Sequence, residues 1–129
     1  MKNYQEYYKQ LGNLLYAVAS ADGNISKKEW KELRRMVSEE LVPAEHHNDE
    51  FGSDSAYAVE FQFDFLEGND YTAEMAFEEV VEYLRHNAVL LPAKDKEMLI
   101  ESANHVAAAF HNVNKEERAI LSKLETLLK

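Results

Sequence analysis

The chain has 129 residues, 46% apolar and 29% charged, which suits one domain with its own core and excludes a disordered segment. It contains no cysteine, so disulfides, Cys-ligated zinc, iron–sulfur clusters and thiol catalysis are excluded, and a cytoplasmic location is expected. Its net charge of −10 disfavours contact with nucleic-acid phosphates and anionic lipid surfaces.

The first predicted element is a helix with one buried face, because Tyr4, Tyr8, Leu11, Leu15 and Val18 recur at spacings of three and four. Glu6, Lys9, Gln10 and Asn13 interrupt that segment, and no stretch approaches the roughly 18 apolar residues of a membrane span. Gly23 punctuates. Leu33, Met36, Val37 and Leu41 then predict a second helix that stops before Pro43. Residues 43–53, "PAEHHNDEFGS", read as a polar loop. Within it His46 and Glu50 would share a face if helical, a transition-metal arrangement, but adjacent histidines such as His46 and His47 rarely reach one ion.

The next stretch, "YAVEFQFDFLEG", alternates like a half-buried strand. With no second strand candidate, a lone strand would leave its backbone unpaired, so a largely buried helix is expected. It should be capped near Ser53 or Asp54 and stopped at Gly68, with Glu60, Asp64 and Glu67 on one stripe and the aromatic residues packed as core. Ala73, Ala76, Phe77, Val80 and Leu84 predict a helix ending near Arg85-His86-Asn87. Pro92 suits the first turn of a following helix through Leu99, Ala103, Val106 and Phe110. The last helix carries Ile120, Leu121, Leu124, Leu127 and Leu128. His105 and His111 fall on different helix faces and read as incidental.

Charge is segregated along the chain. Between Arg35 and Arg85 there is no Lys or Arg, yet 14 of the 24 acids lie there; the other 10 share the flanks with all 14 basic residues. Within this acidic aromatic middle, residues 44–86, the segment Asp49–Glu82 is read as an interaction surface for a protein partner, most naturally a basic one, or for a cation, against the plainer reading of a solvated acidic face. Asp49, Glu50, Asp54, Glu60, Asp64 and Glu67 are its candidate residues.

The corner "VASADGNISKKEW" (Val18–Trp30) resembles the second half of a calcium loop, but the register fails. With Gly23 at loop position six and Glu29 at twelve, position one falls on Val18, which has no side-chain oxygen. Capping explains most of the stretch. Gly23 suits a helix stop, Ser26 and Glu29 form a capping box, and Ile25 and Trp30 are placed as a hydrophobic staple. Capping leaves Asp22 unexplained, so a divalent-cation site built on Asp22 with other carboxylates is the second reading. The corner also recurs without a gap: Val18–Met36 aligns with Val106–Leu124 at seven identities, suggesting an internal helix–corner–helix repeat. Phe110-His111 replaces Asp22-Gly23 in the second copy.

"YAVASADGNISKKEWKELRRMV" (Tyr16–Val37), with Ala21-Asp22-Gly23, Ile25 two residues on and Glu29 six after the glycine, resembles the signature of the TerB-like (tellurite resistance protein B) family. The resemblance implies an all-helical, internally duplicated bundle. It also implies association with bacterial stress responses and with membrane-linked or chaperone-linked assemblies. In that family the acids of the Asp-Gly motifs are suspected metal ligands, a role that by matching position carries over only to Asp22 and Glu29.

The expectation is therefore an all-α, single-domain bundle of about six to seven helices spanning residues 1–129. Its repeat halves should lie near 4–41 and 93–128. No nucleophile elbow, phosphate-cradling loop, HExxH or dinucleotide fingerprint is present, so a non-enzymatic module with no certain cofactor is expected.

Overall fold

A computed structural model describes residues 4–21, 25–41, 52–110 and 115–128. Among the described residues six α-helices run in chain order: α1 (Tyr4–Ala19), α2 (Lys27–Met36), α3 (Gly52–Gly68), α4 (Ala73–Asn87), α5 (Ala93–Phe110) and α6 (Lys115–Leu128). A π-helical turn, Val37–Leu41, prolongs α2, and a 3-10 turn, Ala88–Leu90, joins α4 to α5. No strand occurs among the described residues, so the alternating aromatic stretch is helical, as the missing strand partner required.

The bundle is organised around α1, which touches α3, α4, α5 and α6. Every residue from Gln10 to Ser20 is buried, so α1 is enclosed on all sides over that length rather than on one face. The cause is the near-continuous apolar run Leu14–Ala19, with Leu14, Leu15, Ala17 and Val18 wholly inaccessible. The polar residues trapped with it are satisfied internally. Gln62 Nε2 donates to Asn13 Oδ1 at 2.7 Å, Asn13 Nδ2 to Gln10 Oε1 at 2.9 Å, and Gln10 Nε2 to Glu6 Oε2 at 2.7 Å. Ser20 Oγ donates to the Tyr16 carbonyl, and Tyr7 Oη to the Asp95 carbonyl at 2.8 Å, tying α1 to α5.

Close approach of α1 and α3 depends on Gly12. A Cβ there would stand 3.1 Å from Gln62 Cβ and 3.3 Å from the Val59 carbonyl oxygen, tighter than packed side chains normally sit. On the other side of α3, Trp30 of α2 stacks on Tyr16 with centroids 5.5 Å apart and meets Phe63 edge-on at 5.5 Å. The Arg34 guanidinium lies 5.6 Å from the Trp30 ring centroid and 5.9 Å from that of Phe63.

The α3–α4 connection is a Schellman stop. The Tyr71 amide donates to the Leu66 carbonyl at 3.1 Å and the Asp70 amide to the Glu67 carbonyl at 3.4 Å. The left-handed residue is Asp70, with φ 53°, a position Asp tolerates better than most side chains. Thr72 then caps α4, its Oγ1 accepting from the Met75 amide at 3.1 Å. Pro92 stands one residue earlier than expected, before α5, where its carbonyl accepts from the Asp95 and Lys96 amides.

Candidate functional site

At the α1–α2 corner the capping box is formed in full. The Glu29 amide donates to Ser26 Oγ at 3.1 Å, and the Ser26 amide donates to Glu29 Oε1 at 2.9 Å. Trp30 is buried, and Ile25 packs against the same core. One oxygen of the Glu29 carboxylate is thus engaged by the backbone at the helix start. Asp22, the proposed partner ligand, lies outside the described residues with Gly23. Among the described residues no three Asp, Glu or His side chains converge as a metal site would require. His46, His47, Asp49, Glu50 and His111 also lie outside the described residues, as does the corner of the second sequence copy.

The acidic middle is divided between two helices. Asp54 falls in the first turn of α3. Glu60, Asp64 and Glu67 follow at helical spacing, with Glu60 half-buried and the other two exposed. Asp64 is not a free charge: Arg34 Nη2 reaches its Oδ1 at 2.5 Å, joining α2 to α3. Glu67 and Asp70 sit near enough to Tyr16 to add to the effect of burial, which is the main cause holding its phenol above the ordinary tyrosine range. On α4, Glu74, Glu78, Glu79 and Glu82 are all exposed. Glu78, Glu79 and Glu82 border a cleft between α4 and α6 of about 660 Å³, whose apolar lining includes Phe77 and Val81, with Lys123 contributed by α6.

The aromatic run is not uniformly core, and here the structure corrects the expectation. Val59, Gln62, Phe63 and Leu66 form the buried stripe of α3, whereas Phe61 is 74% exposed and Phe65 42%. With residues 100° apart on a helix, Phe61 and Phe65 lie 40° apart on a stripe of their own, between the acids and α1. They line a groove of about 360 Å³ together with Ala58 and Gln62 of α3 and Gln5 and Lys9 of α1. The signal was available in the sequence. Positions 58, 61 and 65 share a face that excludes 59, 63 and 66. What was missing was which face the rest of the bundle covers.

A second exposed apolar feature escaped sequence reading. Val89 is 93% exposed and Leu90 75%, consecutive residues at the α4–α5 corner, while Leu91 beside them is buried. No helix among the described residues is long and apolar enough to cross a membrane.

Compared with known proteins, residues 9–129 match one family model, described as "Tellurite resistance protein TerB". No curated protein and no solved structure is a significant match.

Proposed function

This chain belongs to the TerB family, and we propose that within it the chain works as a non-catalytic helical module that binds other proteins through the face of α3. The observation that carries this reading is the pairing, on one helix, of an exposed aromatic stripe with an acidic one. Phe61 and Phe65 offer apolar area, and Glu60, Asp64 and Glu67 border it with negative charge. Exposed apolar residues rimmed by polar ones mark contact surfaces on soluble domains. The neighbouring acids of α4 extend the field and favour a basic partner.

Affinity capture from the source cell tests it, with wild type set against a Glu60→Lys/Glu67→Lys variant. Neither carboxylate makes the ion pair that Asp64 makes with Arg34, so the change breaks no bridge between α2 and α3. Loss of a captured protein from the variant, with unchanged circular dichroism, is the expected outcome. A partner retained equally by both would place the contact elsewhere.

A further inference from the structure

The cleft between α4 and α6 carries its charges in order along one helix. On α4, Glu78, Glu82 and Arg85 follow at spacings of four and three, so they share a face, and all three line the cleft. With a rise of about 1.5 Å per residue, Glu78 and Arg85 stand roughly 10 Å apart along the axis. Glu79 joins the acidic end, where the Tyr71 hydroxyl donates to its Oε2 at 3.5 Å. Lys123 brings a second cation from α6. The apolar wall is half-buried Phe77 and buried Val81, with Met75 left 44% exposed.

These charges are not spent within the fold. Among the described residues the side chains of Glu78, Arg85 and Lys123 make no ion pair. The spacing of Glu82 and Arg85 permits a pair, yet Glu82 turns to His86, its Oε1 lying 3.0 Å from the ring Nε2. The cleft therefore offers two acids and, two helical turns further on, an unpaired guanidinium. A ligand that satisfies both carries an ammonium and a carboxylate about 10 Å apart, with apolar area between them. An internal segment of a protein chain has neither terminal group, and in a single amino acid the two share one carbon. An extended tripeptide spans about 10 Å. At about 660 Å³ the cleft lies within the roughly 300–1,000 Å³ of small-molecule sites.

We infer that this cleft binds a short free peptide, about three residues long, with apolar side chains. Its ammonium meets Glu78 and Glu79, and its terminal carboxylate meets Arg85, whose fork suits two parallel N–H bonds, with Lys123 adding positive charge. The second Glu82 oxygen accepts a peptide N–H on the way, and the peptide's side chains rest on Phe77 and Val81. The site uses no residue of the α3 face proposed above, so either reading can fail alone.

The probe is Ala-Leu-Ala, free at both ends, titrated at neutral pH into isotope-labelled protein and followed by its amide resonances. Shifts centred on α4 and α6 are expected, with a Kd of about 0.1–1 mM for a ligand of this size. N-acetylation should weaken binding at least about fivefold, and so should C-amidation, because each removes one charge-assisted contact. Variants locate the two ends. Arg85→Gln/Lys123→Gln should lose affinity for the free peptide but little for the amidated one. Glu78→Gln/Glu79→Gln should do the same with the acetylated one. All four side chains are exposed, so circular dichroism should be unchanged. No shift at α4 or α6 by about 10 mM peptide, equal affinity for a doubly blocked peptide, or variants that weaken every form alike would overturn the inference.

Discussion

The buried amide row of α1 makes a sharp test of how this bundle is held. Asn13 is wholly inaccessible and mediates between Gln62 and Gln10, both buried, while the row ends at half-buried Glu6. In Asn13→Ala, the Gln62 amide loses its 2.7 Å acceptor and the Gln10 carbonyl loses its 2.9 Å donor. Each buried group left without a partner costs about 1–3 kcal/mol. Alanine returns roughly 0.6 kcal/mol of helix propensity, too little to reverse the sign. The net loss should be about 2–4 kcal/mol, a large part of the roughly 5–15 kcal/mol that holds a domain folded. With a urea slope of about 2 kcal/mol/M, the midpoint should fall by roughly 1–2 M at unchanged slope. A double-mutant cycle with Gln62→Ala should give a coupling of at least about 1 kcal/mol. A cost below about 0.5 kcal/mol, the range of exposed substitutions, would show that the row is not structural. Additivity within about 0.3–0.5 kcal/mol would show that Asn13 and Gln62 act independently.

Ser26→Ala removes one half of the capping box and should cost about 1 kcal/mol, lowering the melting midpoint by roughly 4 °C. Trp30 is the sole tryptophan and stacks on Tyr16, so its fluorescence should report the loosening of α2; an unchanged midpoint would refute the box's contribution. Burial holds the Tyr16 and Tyr83 phenols above the ordinary range, with nearby acids adding to it and the Ser20 hydroxyl opposing it at Tyr16. The unfolded chain therefore releases these protons first, near pH 10, so their contribution is complete below that pH and lost above it. Urea midpoints should fall as pH rises past about 10, and less steeply in Tyr16→Phe; a midpoint that climbs there would contradict the sign. Cation binding at Asp22, as the family resemblance suggests, predicts a melting midpoint raised by excess calcium, magnesium, manganese or zinc over chelator. That shift should vanish in Asp22→Ala, and its absence from wild type, or persistence in the variant, would end the cation reading.

Much of this architecture is written in local sequence. Ser26, Glu29, Ile25 and Trp30 could be read as a helix start because capping joins residues three to five apart, and the box has the expected partners. The end of α3 at Gly68 and the span of α4 followed from helical periodicity for the same reason, whereas α3 starts at Gly52, ahead of the cap expected at Ser53 or Asp54, and helix over strand for residues 57–68 followed from the lack of a strand partner. The all-α class and the family signature were likewise legible, the latter confirmed over residues 9–129.

What needed the tertiary structure was every question of coverage. The spacing of Tyr8, Leu11 and Leu15 predicts one buried face on α1, but four other helices pack against it and enclose it from Gln10 to Ser20. The spacing of Phe61, Phe63 and Phe65 cannot say which ring turns inward. Phe63 does, because Trp30 and Arg34 meet it from a helix some thirty residues away in sequence, while Phe61 stays exposed. The charge of Asp64 is visible in the sequence, but its partner Arg34 is set by the α2–α3 packing. Hydrophobic pattern and capping are short-range properties that a helix carries with it. Which of its faces stays bare for a partner depends on the helices that fold against it.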